Sequence, residues 1–277
     1  MNNKDIGGTD KLLQKLYQKF PFRLLLRLMI SSTVSKLTGW FLDRKISKIF
    51  IKRFVKNNNI DLSQAVKQSF SSFNDFFIRE LKPDLREVND NDNILISPCD
   101  SCLSAYTVTK DKTFKIKKTI YTIEDLLNGD KISDTFDDGL LLIFRLRPVD
   151  YHRYIYFDDA KIISKKSVKG TYHTVNPVVH EHYKVYASNT REYNVMETKN
   201  FGICIQMEVG AMLVGRIKNI VEKQNILRGE EKGYFEFGGS TVIVLLQKDI
   251  IVLNENVPLD SNDELYVMRG QGVGFKL

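Results

Sequence analysis

Residues 233–246 read GYFEFGGSTVIVLL. An apolar run stops at Gly238, Gly239, Ser240 and Thr241 and then resumes as a still more apolar run. Two adjacent glycines are enough for a tight hairpin or a bulge, so the pattern alone asks for nothing more. The same freedom has a chemical reading, in which a Gly-Ser bond in a strained turn lets the serine hydroxyl approach the carbonyl before it. Spacing leaves both readings open.

Outward from this stretch, β-branched and aromatic runs punctuated by Gly, Asn and Asp dominate from residue 94 onward, at 140–146, 151–157, 161–168, 192–197, 203–209, 212–217 and 241–246. They predict a mostly antiparallel β domain over 94–277 with few helices. Residues 71–81, SSFNDFFIREL, predict a short helix start capped by Ser or Asn, and 82–93 a polar linker with Pro83. Between residues 22 and 56 the period is helical: Leu25, Leu28, Trp40, Ile46, Ile49, Phe50 and Phe54 recur at steps of three and four with Lys and Arg between them. The fold class is therefore α+β, with N-terminal amphipathic helices in a basic segment, 1–80, followed by the β core.

Length and composition narrow the function. At 277 residues, 43% hydrophobic, with 6 Pro and 16 Gly, the chain is neither disordered nor collagen-like. Three cysteines cannot all pair, which points to a reducing compartment. Residues 1–60 carry a local charge of +10 and the remainder −3, so the basic excess belongs to the N-terminal segment alone. A nucleic-acid-binding core spreads basic residues over its recognition surface, and this one does not. Without an apolar run of 18 residues no transmembrane helix is expected, and the polar first 19 residues do not resemble a signal peptide, so the protein is expected in the cytoplasm. The basic amphipathic stretch has two readings, a helix lying in an anionic membrane interface or a helical module packed on the core, and the charge favours the membrane.

Among chemistry-bearing residues, Cys99 and Cys102 form a CxxC without the second pair that a zinc site needs. Gly270, Gly272 and Gly274 form GxGxG with no helix to follow, which excludes a dinucleotide loop. No metal site is expected. His152 lies in RLRPVDYHRYIYF, a bulky strand-like run where imidazole is costly to bury without a partner, although a core histidine satisfied by backbone is the commoner outcome. His180 and His182 lie in a polar stretch and read as solvated.

Taken together, FNDFFIRELKP, SPCDS, RLRPVDYHRYIYF, YHTVNP, NTREY, VGAMLVGRI and GYFEFGGSTVIVLL resemble the phosphatidylserine decarboxylases, in the same order and at compatible spacings, from about residue 73 to 274. The resemblance implies a proenzyme cut between Gly239 and Ser240 into a β chain, 1–239, and an α chain, 240–277. Gly238 stands where that family usually has Leu. On this resemblance Ser240 attacks the Gly239 carbonyl, the amide becomes an ester, and elimination leaves a dehydroalanine that hydrolyses to a pyruvoyl group and ammonia. The pyruvoyl group then acts as the covalent electron sink for decarboxylation.

A serine hydroxyl needs a base, and the base an orienting group. Asp100 matches the family's orienting carboxylate, with Ser101 replacing its usual Gly. Many members carry a second histidine three residues after the one matching His152, where this chain has Ile155. His173 is assigned here as the base for cleavage and His152 as the proton carrier in decarboxylation, with swapped roles, or His152 doing both, left open. The resemblance further implies phosphatidylserine as substrate, phosphatidylethanolamine and CO2 as products, a heterodimer of the chain's own α and β pieces that forms a homodimer, and a peripheral place on the cytoplasmic face of the cell membrane. Two other readings compete: a pyruvoyl-dependent decarboxylase of another amine, and a non-catalytic membrane-binding β domain in which GGST is only a hairpin.

Overall fold

The computed structural model describes residues 8–18, 20–180, 183–212, 216–220 and 222–277. In chain order the helices are α1 (Gly8–Gln18), α2 (Arg23–Met29), α3 (Ser32–Leu42), α4 (Ile49–Asn58), α5 (Phe73–Phe77), α6 (Ile123–Leu127) and α7 (Val185–Ser188). The strands are β1 (Ile94–Ile96), β2 (Ser101–Thr107), β3 (Thr113–Ile116), β4 (Thr119–Thr122), β5 (Leu140–Leu146), β6 (Arg153–Ile155), β7 (Ala160–Val168) and β8 (Arg191–Thr198). They continue as β9 (Gly202–Gly210), β10 (Ile217–Asn219), β11 (Asn225–Ile226), β12 (Glu231–Phe235), β13 (Ser240–Leu246), β14 (Ile251–Leu253), β15 (Leu265–Val267) and β16 (Gly272–Lys276).

Eight strands form one antiparallel sheet in the order β11-β7-β8-β9-β13-β5-β2-β15, with the 240–246 run near its centre. Every residue of β13 is buried, which explains why its sequence is a continuous apolar run: both faces of the sheet are covered. Ser240, Val242, Val244 and Leu246 stand opposite Leu146, Phe144, Leu142 and Leu140 on one face. That face packs with Tyr154, Ile155 and Phe235 of the smaller sheet β10-β12-β6. Ile243 and Leu245 point the other way, into a core shared with Ile123, Leu126 and Leu127 of α6, with Val175 and Val179, and with Leu16 and Tyr17 of α1.

The N-terminal helices straddle the Ser240 end of β13. α1 and α2 close one face through Leu16, Tyr17 and Leu26. On the other side Leu42, Phe70, Phe73, Phe76 and Phe77 build an aromatic cluster that takes in Phe54 and Phe237. Helix α5 begins where Ser72 caps it, its hydroxyl accepting the Asp75 amide at 3.1 Å.

Two expected strands are shorter. Residues 151–157 yield only β6, because His152 folds its Nδ1 back onto the Asp150 carbonyl at 2.8 Å before the strand begins. Of 212–217 only Ile217 is in a strand, Met212 sits in a turn, and 213–215 lie outside the described residues.

Candidate active site

Ser240 opens β13 between Leu146 of β5 and Gly210 of β9. Its side chain is buried and its hydroxyl has no hydrogen-bond partner. A hydroxyl sealed off without a partner costs on the order of 1–3 kcal/mol, so its retention calls for a use. Two residues earlier Gly238 adopts φ 149°, a conformation that residues with a Cβ rarely reach, which accounts for Gly where the resemblance leads one to expect Leu. At Gly239 a Cβ would lie 3.3 Å from Val175 Cγ2 and 3.9 Å from Ala211 Cβ, so the backbone here runs close against its neighbours.

His152 is fully buried, beside the strand that leads into this turn. Because the Asp150 carbonyl can only accept, Nδ1 carries the proton in the neutral ring and Nε2 keeps the lone pair. That Nε2 has no hydrogen-bond partner. Burial holds the imidazole's pKa down to about 3, against the backbone groups of Asp150 and Gly238, which favour the charged form, and with the Arg79 charge adding to the depression. The ring is therefore neutral at physiological pH. The Phe77 ring lies 4.2 Å from it, and the His152 carbonyl accepts the Phe235 amide at 3.0 Å. Asn74 fixes the approach to the turn, its Oδ1 accepting the Phe237 amide at 3.1 Å.

The other expected site residues are placed differently. His173 packs between Tyr17 and Tyr183 in the core of the opposite sheet face, its Nδ1 3.2 Å from the Tyr17 hydroxyl. Ser240 shares the sheet face of Leu146 and Val242, the face opposite the cluster that holds Tyr17 and Tyr183. Through its backbone His173 does bear on the site: Asn189 Nδ2 donates to both the His173 and the Gly210 carbonyls at 2.8 Å, and Gly210 faces Ser240. Asp100 is buried, but Arg86 donates to it from Nε at 2.8 and 2.9 Å and from Nη2 at 2.5 Å, and the Arg269 amide donates at 2.8 Å. No hydrogen bond joins Asp100 to a histidine among the described residues, and the side-chain contact that holds the His152 ring is the one to the Asp150 carbonyl.

His180, read from sequence as solvated, is buried on the Tyr186 ring with Nε2 3.3 Å from the Val175 carbonyl, and burial lowers its pKa to about 4. Its polar sequence neighbours concealed this because the segment folds inward on Val175 and Val179. His182 lies outside the described residues. Cys99, Cys102 and Cys204 are buried free thiols, and burial pushes the Cys204 pKa up to about 12, which makes it an inert core residue.

Sequence reasoning missed the roles of Asn74 and Phe77, although the signal was present: a polar Asn set among aromatics at the start of a five-residue helix. It also missed a buried ion pair on the Ser240 face. Glu208, opposite Val242, binds Lys232 Nζ at 2.5 Å with both side chains fully buried, and Glu208 Oε1 has no partner.

The family model for phosphatidylserine decarboxylase matches residues 73–274. The chain belongs to the phosphatidylserine decarboxylase family. It is similar to phosphatidylserine decarboxylase proenzyme 2 of Clostridium acetobutylicum, 43% identical over 246 residues that cover 88% of this chain and 84% of that protein. It is also similar to the phosphatidylserine decarboxylase proenzyme of Clostridium tetani, 37% identical over 274 residues covering 96% and 92%, and to that of Ruminiclostridium cellulolyticum, 36% identical over 276 residues covering 97% and 91%. The span shared with the family model begins at Phe73, the first residue of α5, so the helix that holds Phe237 and touches His152 belongs to the decarboxylase core and α1 to α4 precede it.

Proposed function

We propose that this chain is a self-cleaving, pyruvoyl-dependent decarboxylase that converts phosphatidylserine to phosphatidylethanolamine and CO2 at an anionic membrane surface. The observation that carries the proposal is the buried, unpartnered Ser240 hydroxyl at a strand start that follows two glycines. A pyruvoyl group made from this residue fits the chain here, since Ser240 occupies a dry position with no competing hydrogen bond.

For cleavage we assign the base to His152. Its Nε2 takes the Ser240 hydroxyl proton as Oγ bonds to the Gly239 carbonyl carbon, and the bond from that carbon to the Ser240 nitrogen breaks, leaving an ester and a free amine. Loss of the Ser240 α proton then expels Gly239 as a carboxylate, and water hydrolyses the resulting dehydroalanine with release of ammonia. The 38-residue α chain, 240–277, stays in place because β13 is paired on both sides by β-chain strands. The pyruvoyl group supplies the carbonyl electron sink for CO2 loss. His152, fixed in one tautomer by Asp150 and shielded from water by Phe77, is the proton carrier in both stages.

The membrane surface is supported by the N-terminal helices. Leu24, Leu25, Leu28, Leu37, Trp40 and Ile49 are exposed there in a segment rich in Lys and Arg, and no helix among the described residues is long and apolar enough to cross a membrane. Apolar side chains interleaved with cations suit a helix lying in the headgroup layer. Because α1, α2 and α5 flank the Ser240 end of β13, a bilayer docked on this segment meets the protein beside the reacting residue.

The test is the intact mass of freshly purified protein beside Ser240→Ala, followed by CO2 release from phosphatidylserine. Two fragments in the wild type, with a pyruvoyl-blocked 240–277, and one chain in the variant are expected. An uncut, inactive wild type would reject the proposal.

A further inference from the structure

The carboxylates around His152 are already taken. Arg86 holds Asp100, Arg147 holds Asp150 through Nη2 at 2.7 Å, and Arg153 bridges Glu80 and Glu231 at 3.1 and 2.7 Å. Two guanidinium groups beside them have no such partner: Arg269, half-buried over the Tyr151 ring, and the more deeply buried Arg79. Arg79 follows Phe77, whose ring touches His152, by two residues. It is only 8% exposed, lies over the Phe76 ring at 5.0 Å, and keeps its Nε enclosed without an acceptor. Among the described residues no carboxylate or carbonyl pairs with this guanidinium.

An arginine does not discharge by losing its proton under physiological conditions, so an unpaired buried one is destabilising. Burial lowers the Arg79 pKa, Tyr151 and Asp100 oppose that from a distance, and the Arg79 charge in turn reaches His152. A buried cation beside the proton carrier and short of one anion is a receptor for an anionic group on the substrate.

We propose that Arg79 binds the phosphodiester of the lipid headgroup and so positions the substrate against Ser240 and His152. The proposal rests on the decarboxylase reading and adds to it the residue that recognises the headgroup. Between the two anions of phosphatidylserine, the phosphodiester is the better match. A carboxylate departing as CO2 loses its charge on the way to the transition state, so an ion pair to it would stabilise the ground state more and slow the reaction. The phosphodiester keeps its charge throughout, and the planar guanidinium fork matches its oxygens.

The experiment compares wild-type, Arg79→Gln and Arg79→Lys enzymes on a soluble short-chain phosphatidylserine, with sn-glycero-3-phosphate, inorganic phosphate and free serine as competitors. Arg79→Gln is expected to raise KM about tenfold or more with kcat within about threefold, the pattern of binding lost equally from ground and transition states. It should also abolish inhibition by sn-glycero-3-phosphate, with Arg79→Lys intermediate. Unchanged KM, or a fall in kcat alone with inhibition by serine lost, would overturn the assignment, the latter pointing to the carboxylate. Inorganic phosphate competing as well as sn-glycero-3-phosphate would overturn the headgroup as the ligand. Failure of both Arg79 variants to self-cleave would assign the side chain to the fold. Calorimetric binding of sn-glycero-3-phosphate to wild type and Arg79→Gln answers the question even if the wild type releases no CO2, so the two proposals fail separately.

Discussion

Asn74 and Phe237, 163 residues apart, are joined by a 3.1 Å hydrogen bond from the Phe237 amide to the Asn74 side-chain carbonyl. That bond anchors the chain three residues before Ser240. The same Asn74 donates from Nδ2 to Asp43 at 2.7 Å, so one side chain ties the N-terminal helices to the turn that leads into Ser240. Asn74→Ala is expected to slow self-cleavage and to lower stability by roughly 1–3 kcal/mol, the usual cost of orphaning a buried amide. The fraction cut against time, read by mass, checks this, and a wild-type rate would show that the tether is dispensable.

The two candidate histidines predict opposite outcomes. His152→Ala should remain a single chain, because Nε2 is the unpaired base on the Ser240 side. His173→Ala should still cleave, with stability reduced by loss of the Tyr17 contact and of ring packing on Tyr183. Cleavage of His152→Ala together with an uncut but folded His173→Ala would restore His173 as the base.

Stability should fall on mild acidification. The folded-state pKa values of His152 and His180, about 3 and about 4, lie below the ordinary 6.5. Between those values the unfolded chain binds protons that the folded chain refuses, so this stabilisation is complete above pH 6.5 and is lost as pH falls toward 4. The slope is at most about 1.4 kcal/mol per pH unit for each histidine. Melting midpoints between pH 7.5 and 5 should therefore decline, and His180→Gln should flatten the decline. A curve unaltered by that change would dissociate His180 from it.

Glu208 and Lys232 should show strong coupling. Glu208→Ala strands a fully buried ammonium and is expected to cost about 3–5 kcal/mol, whereas Glu208→Leu combined with Lys232→Met should recover most of that loss. Denaturant unfolding of the single and double variants measures the difference, and additive losses would mean that the pair is not a unit.

Trp40, the chain's one tryptophan, is 57% exposed with Arg44 stacked 4.5 Å from its ring. Its fluorescence should shift to the blue on vesicles containing phosphatidylserine and return toward that of the free protein as salt rises, since exposed charges are screened beyond about 10 Å at 0.1 M. Trp40→Ala should weaken vesicle binding about fivefold, equivalent to ~1 kcal/mol for a partly buried ring. Emission unchanged by lipid would place the docking surface elsewhere.

The β-branched and aromatic runs and the helical period of residues 22–56 were sufficient for the class of fold, because strand and helix burial are written locally in the spacing of apolar residues. The apolar run from Thr241 to Leu246 marked a strand, and the Gly238–Gly239–Ser240 break with its motif order marked the family. What the linear pattern could not carry was which groups meet. His173 and Ser240 appear equally plausible partners in sequence, yet the alternation of β13 sends the Ser240 side chain to one face of the sheet while His173 packs against the other. That Asp100 is held by Arg86 through both of its oxygens is likewise absent from the linear pattern. Arg79 is one more basic residue in a helix motif until its burial without an anion is visible. Pairing of this kind depends on contacts between distant parts of the chain, and only the tertiary structure brings them together.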